Sequence, residues 1–151
     1  MSQDEDRLAE LGLTGPEVAA PVASYVPAVI SGNYVYTSGQ LPMVAGTLAA
    51  TGRLGAEIDP EEGTRLAEIC ALNAIAAVKS VLGDLDRVVQ VVRVTGFVSS
   101  VPEFHAQPAV INGASNLLGT AFNGAHSRSA VGVAALPLNA PVEVDMIVEF
   151  K

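Results

Sequence analysis

With 151 residues, half of them hydrophobic, the chain is long enough to bury one substantial core, so a single domain is expected. Eight Lys and Arg against sixteen Asp and Glu give a formal net charge of -8, which argues against nucleic acid as a partner. The single cysteine, Cys70, cannot form an internal disulfide, no charged-then-apolar leader precedes MSQDEDRLAEL, and no apolar run approaches the ~20 residues of a membrane helix; a cytoplasmic protein without membrane contact is the expectation.

Residues 1–20 read as an N-terminal extension to a domain spanning 21–151. Its acidic amphipathic start, DEDRLAELGL, suits a surface helical turn stopped by Gly12 and Gly15-Pro16, or else a loosely held tail. VPAVISGNYVYTSG then gives two β-rich runs around Ser31-Gly32-Asn33, where Gly and Asn supply the positive φ of a tight hairpin. The Gly- and Ala-rich stretch from 41 to 58 has no helical period and reads as a long connecting loop. At Asp59-Pro60-Glu61-Glu62 a cap, a first-turn proline and two acids at the positive end of the dipole open a helix that runs to about Leu82 and stops at Gly83. One face carries Leu66, Cys70, Ala74, Ala77, Val78 and Val81; Leu72 and Ile75 on the charged side hint at a second buried contact.

Residues 87–98, RVVQVVRVTGFV, lack clean alternation, as expected of a central strand covered on both faces. A second helix opens from Pro102, with Phe104, Pro108, Ile111, Ala114, Leu118 and Phe122 on one side and its regular part starting close to Pro108. Strands at 128–135 and 142–150 follow, the last alternating Val142, Val144, Met146, Val148 and Phe150 against Glu143, Asp145, Ile147 and Glu149. The order ββαβαββ predicts an α+β two-layer sandwich, a mixed sheet with two helices on one face. Its other face would carry Val89, Val91 and Ile147, an apolar surface that predicts a homo-oligomer.

Few residues offer chemistry. His105 and His126 lack metal-ligand spacing, so no metal site is expected, and Cys70 sits mid-helix on an apolar stripe where a thiol is inert. Neither a phosphate-cradling loop followed by Lys-Ser/Thr nor a dinucleotide fingerprint opening a helix after a strand is present. Arg128 stands apart, because Ala130, Gly132 and Ala134 on its side of the strand are small and leave room beside a guanidinium. That planar fork matches a small organic carboxylate. A structural salt bridge to Glu143, Asp145 or Glu149 is the open alternative.

YVPAVISGNYVYTSGQLP at 25–42, VRVTGFVSSVPEFHAQPAVING at 92–113 and SRSAVGVAALPLNAPVEVDMIVEF at 127–150 together resemble the reactive intermediate deaminase (Rid, or YjgF-type) family, once labelled endoribonuclease L-PSP. The resemblance covers nearly all of the chain after residue 20 and implies a chorismate-mutase-like fold assembled as a homotrimer with barrel-like packed sheets and clefts between subunits. It implies cofactor-free hydrolysis of 2-imino acids, or their enamine tautomers, to 2-oxo acids and ammonia. Arg128 would grip the carboxylate, Tyr25 would close over it, the Ser38-Gly39 turn and Asn112 would contact it, and Glu143 would activate or orient water. Many active members of that family carry a cysteine two residues after the arginine, where this chain has Ala130, which keeps a second expectation alive: a noncatalytic trimeric module binding a 2-oxo acid at the same arginine. A ribonuclease is a third expectation, disfavoured by the charge balance.

Overall fold

The computed structural model describes residues 3–10, 17, 18 and 24–151. Its first element is helix α1 (Gln3–Glu10), in which Leu8 is almost wholly buried. Glu5 pairs with Lys79, and Arg7 Nη1 donates to the Ala121 carbonyl at 3.4 Å. The acidic opening is thus a docked helix; its expected stops at Gly12 and Gly15-Pro16, and the boundary at residue 20, lie outside the described residues.

The hairpin of β1 (Ala28–Ser31) and β2 (Tyr34–Thr37) forms as expected, with Ser31 paired to Tyr34 across the turn. Gly32 alone takes a positive φ there; Asn33 does not. The stretch expected as loop carries a second, two-residue hairpin, β3 (Met43–Val44) with β4 (Thr47–Leu48), turned by Ala45 and Gly46. Buried Asn73 ties it down by donating to the carbonyls of Leu41 and Met43, each at 3.0 Å.

Helix α2 (Pro60–Leu82) has the predicted bounds, and Asp59 caps it by accepting from the Glu62 N–H at 2.8 Å. Strand β5 (Val88–Ser99) leads to helix α3 (Gln107–Ala121), followed by β6 (Ser127–Val133) and β7 (Val142–Phe150). Helix α3 starts five residues later than Pro102, because the chain turns at 102–103 and Pro108 then occupies the first helical turn, where its missing N–H costs nothing.

The five-stranded sheet has the order β1-β2-β7-β5-β6, antiparallel except for the parallel pair β5 and β6 joined through α3. Helices α2 and α3 cover one face. Val35, Val94, Val98, Val142, Val144, Met146 and Val148 point into that core, and Leu66, Cys70, Ile75, Ile111 and Leu118 meet them from the helices. Ile75 is buried in this same core, and half-buried Leu72 packs against it. Where α2 and α3 cross, a Cβ on Gly113 would run into the Thr64 carbonyl, so only glycine permits that approach.

Two expectations about β5 are corrected. Its missing alternation comes from register shifts between Val88 and Gln90 and between Val91 and Arg93, since a bulge changes which way successive side chains face. Val91 consequently faces the core rather than the open face. The uncovered face carries Arg93, Thr95, Phe97, Val131, Glu143, Asp145, Ile147 and Tyr36.

Candidate functional site

Arg128 lies on β6, an edge strand whose only neighbour among the described residues is β5, and it stands opposite buried Val94. Paired residues on adjacent strands share a face, so the side chain points to the helix layer, away from Glu143, Asp145 and Glu149 on β7. The alternative of a salt bridge to those acids is not realised: Arg128 is bonded instead along α3. Nη1 donates to Asn112 Oδ1 at 2.9 Å and to Ser115 Oγ at 3.1 Å, and Nη2 donates to the Pro108 carbonyl at 3.1 Å. Residues 108, 112 and 115 recur at four- and three-residue steps, which puts all three acceptors on one helix face. Three of the five guanidinium N–H groups are thereby used.

This arginine lines an open groove of about 580 Å³ together with Asn112, Ser115, Asn116, Gly119 and Thr120 of α3 and the Gly124–His126 turn. His126 Nε2 lies 2.9 Å from Ser115 Oγ, while Nδ1 is buried without a partner among the described residues. Burial, and after it the Arg128 cation, hold the imidazole below its ordinary pKa, so the ring stays neutral over a wider range. Ser115 and His126 were missed in the sequence. The signals that could have found them are the three-residue step from Asn112 to Ser115 and the two-residue step from His126 to Arg128.

The other predicted residues gather elsewhere. Ser38 donates from its N–H to the Pro27 carbonyl at 2.8 Å and from its hydroxyl to the Val26 carbonyl at 2.6 Å. Gln40 exchanges two backbone bonds with Val144, of 2.8 and 3.0 Å. Between them Gly39 lies so close to the Glu143 carboxylate that any Cβ would collide with it. Glu143 is half-buried, and desolvation, with the nearby Asp145 charge second, pushes its pKa up. Asp145 is also raised by burial, against the pull of Arg93 and a hydrogen bond from Thr95. Tyr25 is exposed two residues before Pro27, at the same end of β1. Asn112 thus joins Arg128 on the helix side of the sheet, whereas Ser38 and Gly39 join Glu143, whose side chain belongs to the open face.

Cys70 is fully buried, its thiol raised in pKa chiefly by desolvation and directed at the Val142 carbonyl, 3.6 Å away; it has no route to chemistry. Among the described residues no group of three His, Cys, Asp or Glu side chains converges to hold a metal ion, and no helix is long and apolar enough to cross a membrane.

Comparison with known proteins finds relatives over nearly the whole chain. Protein TCP17 of Trypanosoma cruzi is 47% identical over 149 residues, 95% of this chain and 92% of that protein. The crystal structure of Atu1372 from Agrobacterium tumefaciens superposes with a TM-score of 0.92 at 52% identity, covering 98% of this chain and 92% of that one. The YjgF gene product of E. coli superposes with a TM-score of 0.68 at 26% identity, covering 89% and 94%. A family model described as "YjgF/chorismate_mutase-like, putative endoribonuclease" matches residues 5–150, nearly the whole length. The chain belongs to the YjgF/chorismate-mutase-like family.

Proposed function

We propose that the groove at Arg128 binds small 2-imino or enamino acids by their carboxylate and that the protein hydrolyses them, without a cofactor, to 2-oxo acids and ammonia. The observation that carries this reading is the state of the guanidinium. It is held rigidly by three neutral acceptors, has no carboxylate partner among the described residues, and keeps Nε–H and one Nη2–H for a ligand. A cation on an acidic chain, fixed but not neutralised, is arranged for an anion that comes from outside.

Hydrolysis of an imine needs water delivered to the carbon next to that carboxylate. Glu143, its pKa raised, suits a group that gives and takes protons nearer neutral pH, and the Ser38-Gly39 turn is pressed against it. In one chain this carboxylate and Arg128 belong to opposite faces of the sheet. The reading therefore includes a homotrimer in which Arg128 and Asn112 of one copy meet Tyr25, Ser38, Gly39 and Glu143 of the next. The uncovered face, with Val29, Tyr36 and Val131 exposed, supports such packing.

The test is ammonia release from 2-iminopropanoate generated in place by an amino-acid oxidase. The wild-type protein should exceed the spontaneous rate and Arg128→Ala should return it to that rate. A wild-type protein that leaves the spontaneous rate unchanged over several imino acids refutes the deaminase. Ala130, where many active members of the family carry a cysteine, favours one second reading, a module that binds a 2-oxo acid without turnover; saturable binding with no ammonia would select it. The family description's endoribonuclease is disfavoured for this chain by its charge of -8.

A further inference from the structure

We propose that Ser115 and His126 form a second, proton-linked anchor for the anion at Arg128, so that a small carboxylate enters the groove together with a proton taken up by His126. The proposal rests on the carboxylate-binding reading above and adds to it a residue pair and a thermodynamic signature.

Arg128 Nη1–H occupies one lone pair of Ser115 Oγ, and two neutral forms fit the 2.9 Å contact with His126: the Ser115 hydroxyl donates to Nε2, or Oγ accepts from Nε2–H with its second lone pair. Protonating the ring leaves one arrangement. Nε2–H donates to Oγ, the Ser115 hydroxyl points away from the ring, and the groove that both residues line gains a second positive charge with that O–H directed elsewhere.

With the groove empty that second cation is disfavoured, because it is partly desolvated and, after that, sits beside Arg128. A bound anion reverses the balance, since it is attracted by both cations. Few other charges face the ring. Helix α3 has no titratable side chain, β6 contributes Arg128, and Arg93 of the neighbouring strand lies on the opposite face bonded to Ser129 at 2.8 Å. Glu143 and Asp145 are also on that opposite face, and Arg7 of α1 reaches α3 at the Ala121 carbonyl. Binding and protonation must then strengthen each other reciprocally.

The probe is pyruvate, titrated into the full-length protein by calorimetry between pH 5.5 and 8 in buffers of differing ionisation enthalpy. Wild type should take up as much as one proton per anion and bind about fivefold or more tightly on the acid side of the His126 titration. His126→Gln, which keeps a neutral amide near Ser115, should bind with no proton uptake and a flat pH dependence, and Ser115→Ala should reduce the linkage. On the unmodified chain, the NMR titration of the His126 ring should move to higher pH when pyruvate is added, with His105 as internal control. Binding that requires Arg128 but releases or takes up no proton, or a ring titration that pyruvate leaves in place, overturns this inference and leaves the carboxylate site standing. No Arg128-dependent binding at any pH overturns both.

Discussion

Arg128 and Glu143 occupy strands that flank β5 on either side, and their side chains point to opposite faces of the sheet, the first toward α3 and the second toward the uncovered surface. A reaction that uses both must draw them from different copies of the chain. Arg128→Ala and Glu143→Ala should therefore each be inactive in ammonia release, yet regain part of the activity when co-expressed or unfolded and refolded together. Mixed assemblies would contain sites with one intact residue of each kind. Mixtures that stay at the spontaneous rate would show that the two residues do not serve a shared site.

The grip of Arg128 on α3 makes a prediction about shape as well as charge. Lysine at 128 keeps the positive charge but cannot reach Asn112, Ser115 and the Pro108 carbonyl at once, nor offer a planar fork to a carboxylate. Arg128→Lys should weaken pyruvate binding by about tenfold or more, the size of one charge-assisted hydrogen bond lost. Asn112→Ala, which frees one Nη1–H without removing the cation, should cost less. Calorimetry on the three proteins gives the order.

Stability should depend on pH in two opposite senses. Glu143 and Asp145 hold their protons to higher pH folded than unfolded, so the folded chain binds more protons between the two values. Their contribution is present at acid pH and lost as pH rises through the folded pKa values. Glu143→Gln and Asp145→Asn should raise the thermal midpoint at pH 7 and change it little near pH 3. His126 behaves inversely, since its folded pKa lies below the ordinary 6.5. Its contribution is present above that value and lost as pH falls through the folded one, so His126→Gln should flatten the acid side of the curve. Thermal melts from pH 3 to 8 separate the two.

The crossing of α2 and α3 predicts a sharp contrast between two glycines on one helix. At Gly113 a new methyl meets the Thr64 carbonyl, which is backbone and cannot rotate away. Gly113→Ala should cost about 1–3 kcal/mol in urea unfolding. At Gly119 the nearest atom to a new Cβ is the Gly124 carbonyl at 3.4 Å, and Gly119→Ala should be neutral or stabilise by up to ~1 kcal/mol through helix propensity.

Much of this architecture was legible in the chain because local signals agreed with tertiary ones. Asp59-Pro60-Glu61 at one end and Gly83 at the other bracket α2, and the strict alternation from Val142 onward marks β7. What escaped was non-local. A bulge breaks the alternation without telling which face the residues around it take, so Val91 was assigned to the wrong face. The parallel pairing of β6 with β5 alone could not be read from 128–133, so the acids of β7 remained candidate partners for Arg128 until the strand order was known. The site divides the same way. Arg128 declared itself by being a lone cation among small residues, whereas Ser115 and His126 gain meaning only once α3 is laid alongside β6.

Asn73 has a consequence for how this chain can vary. Its two amide hydrogens fasten the backbone at Leu41 and Met43 to the middle of α2, just after the Ser38-Gly39 turn, and the Gly52 N–H is fastened to the Asn139 carbonyl further along. The stretch between these two moorings is anchored at both ends, so insertions or deletions at the tip around Ala45 and Gly46 should reshape the molecule's rim while the Ser38-Gly39 turn keeps its place beside Glu143.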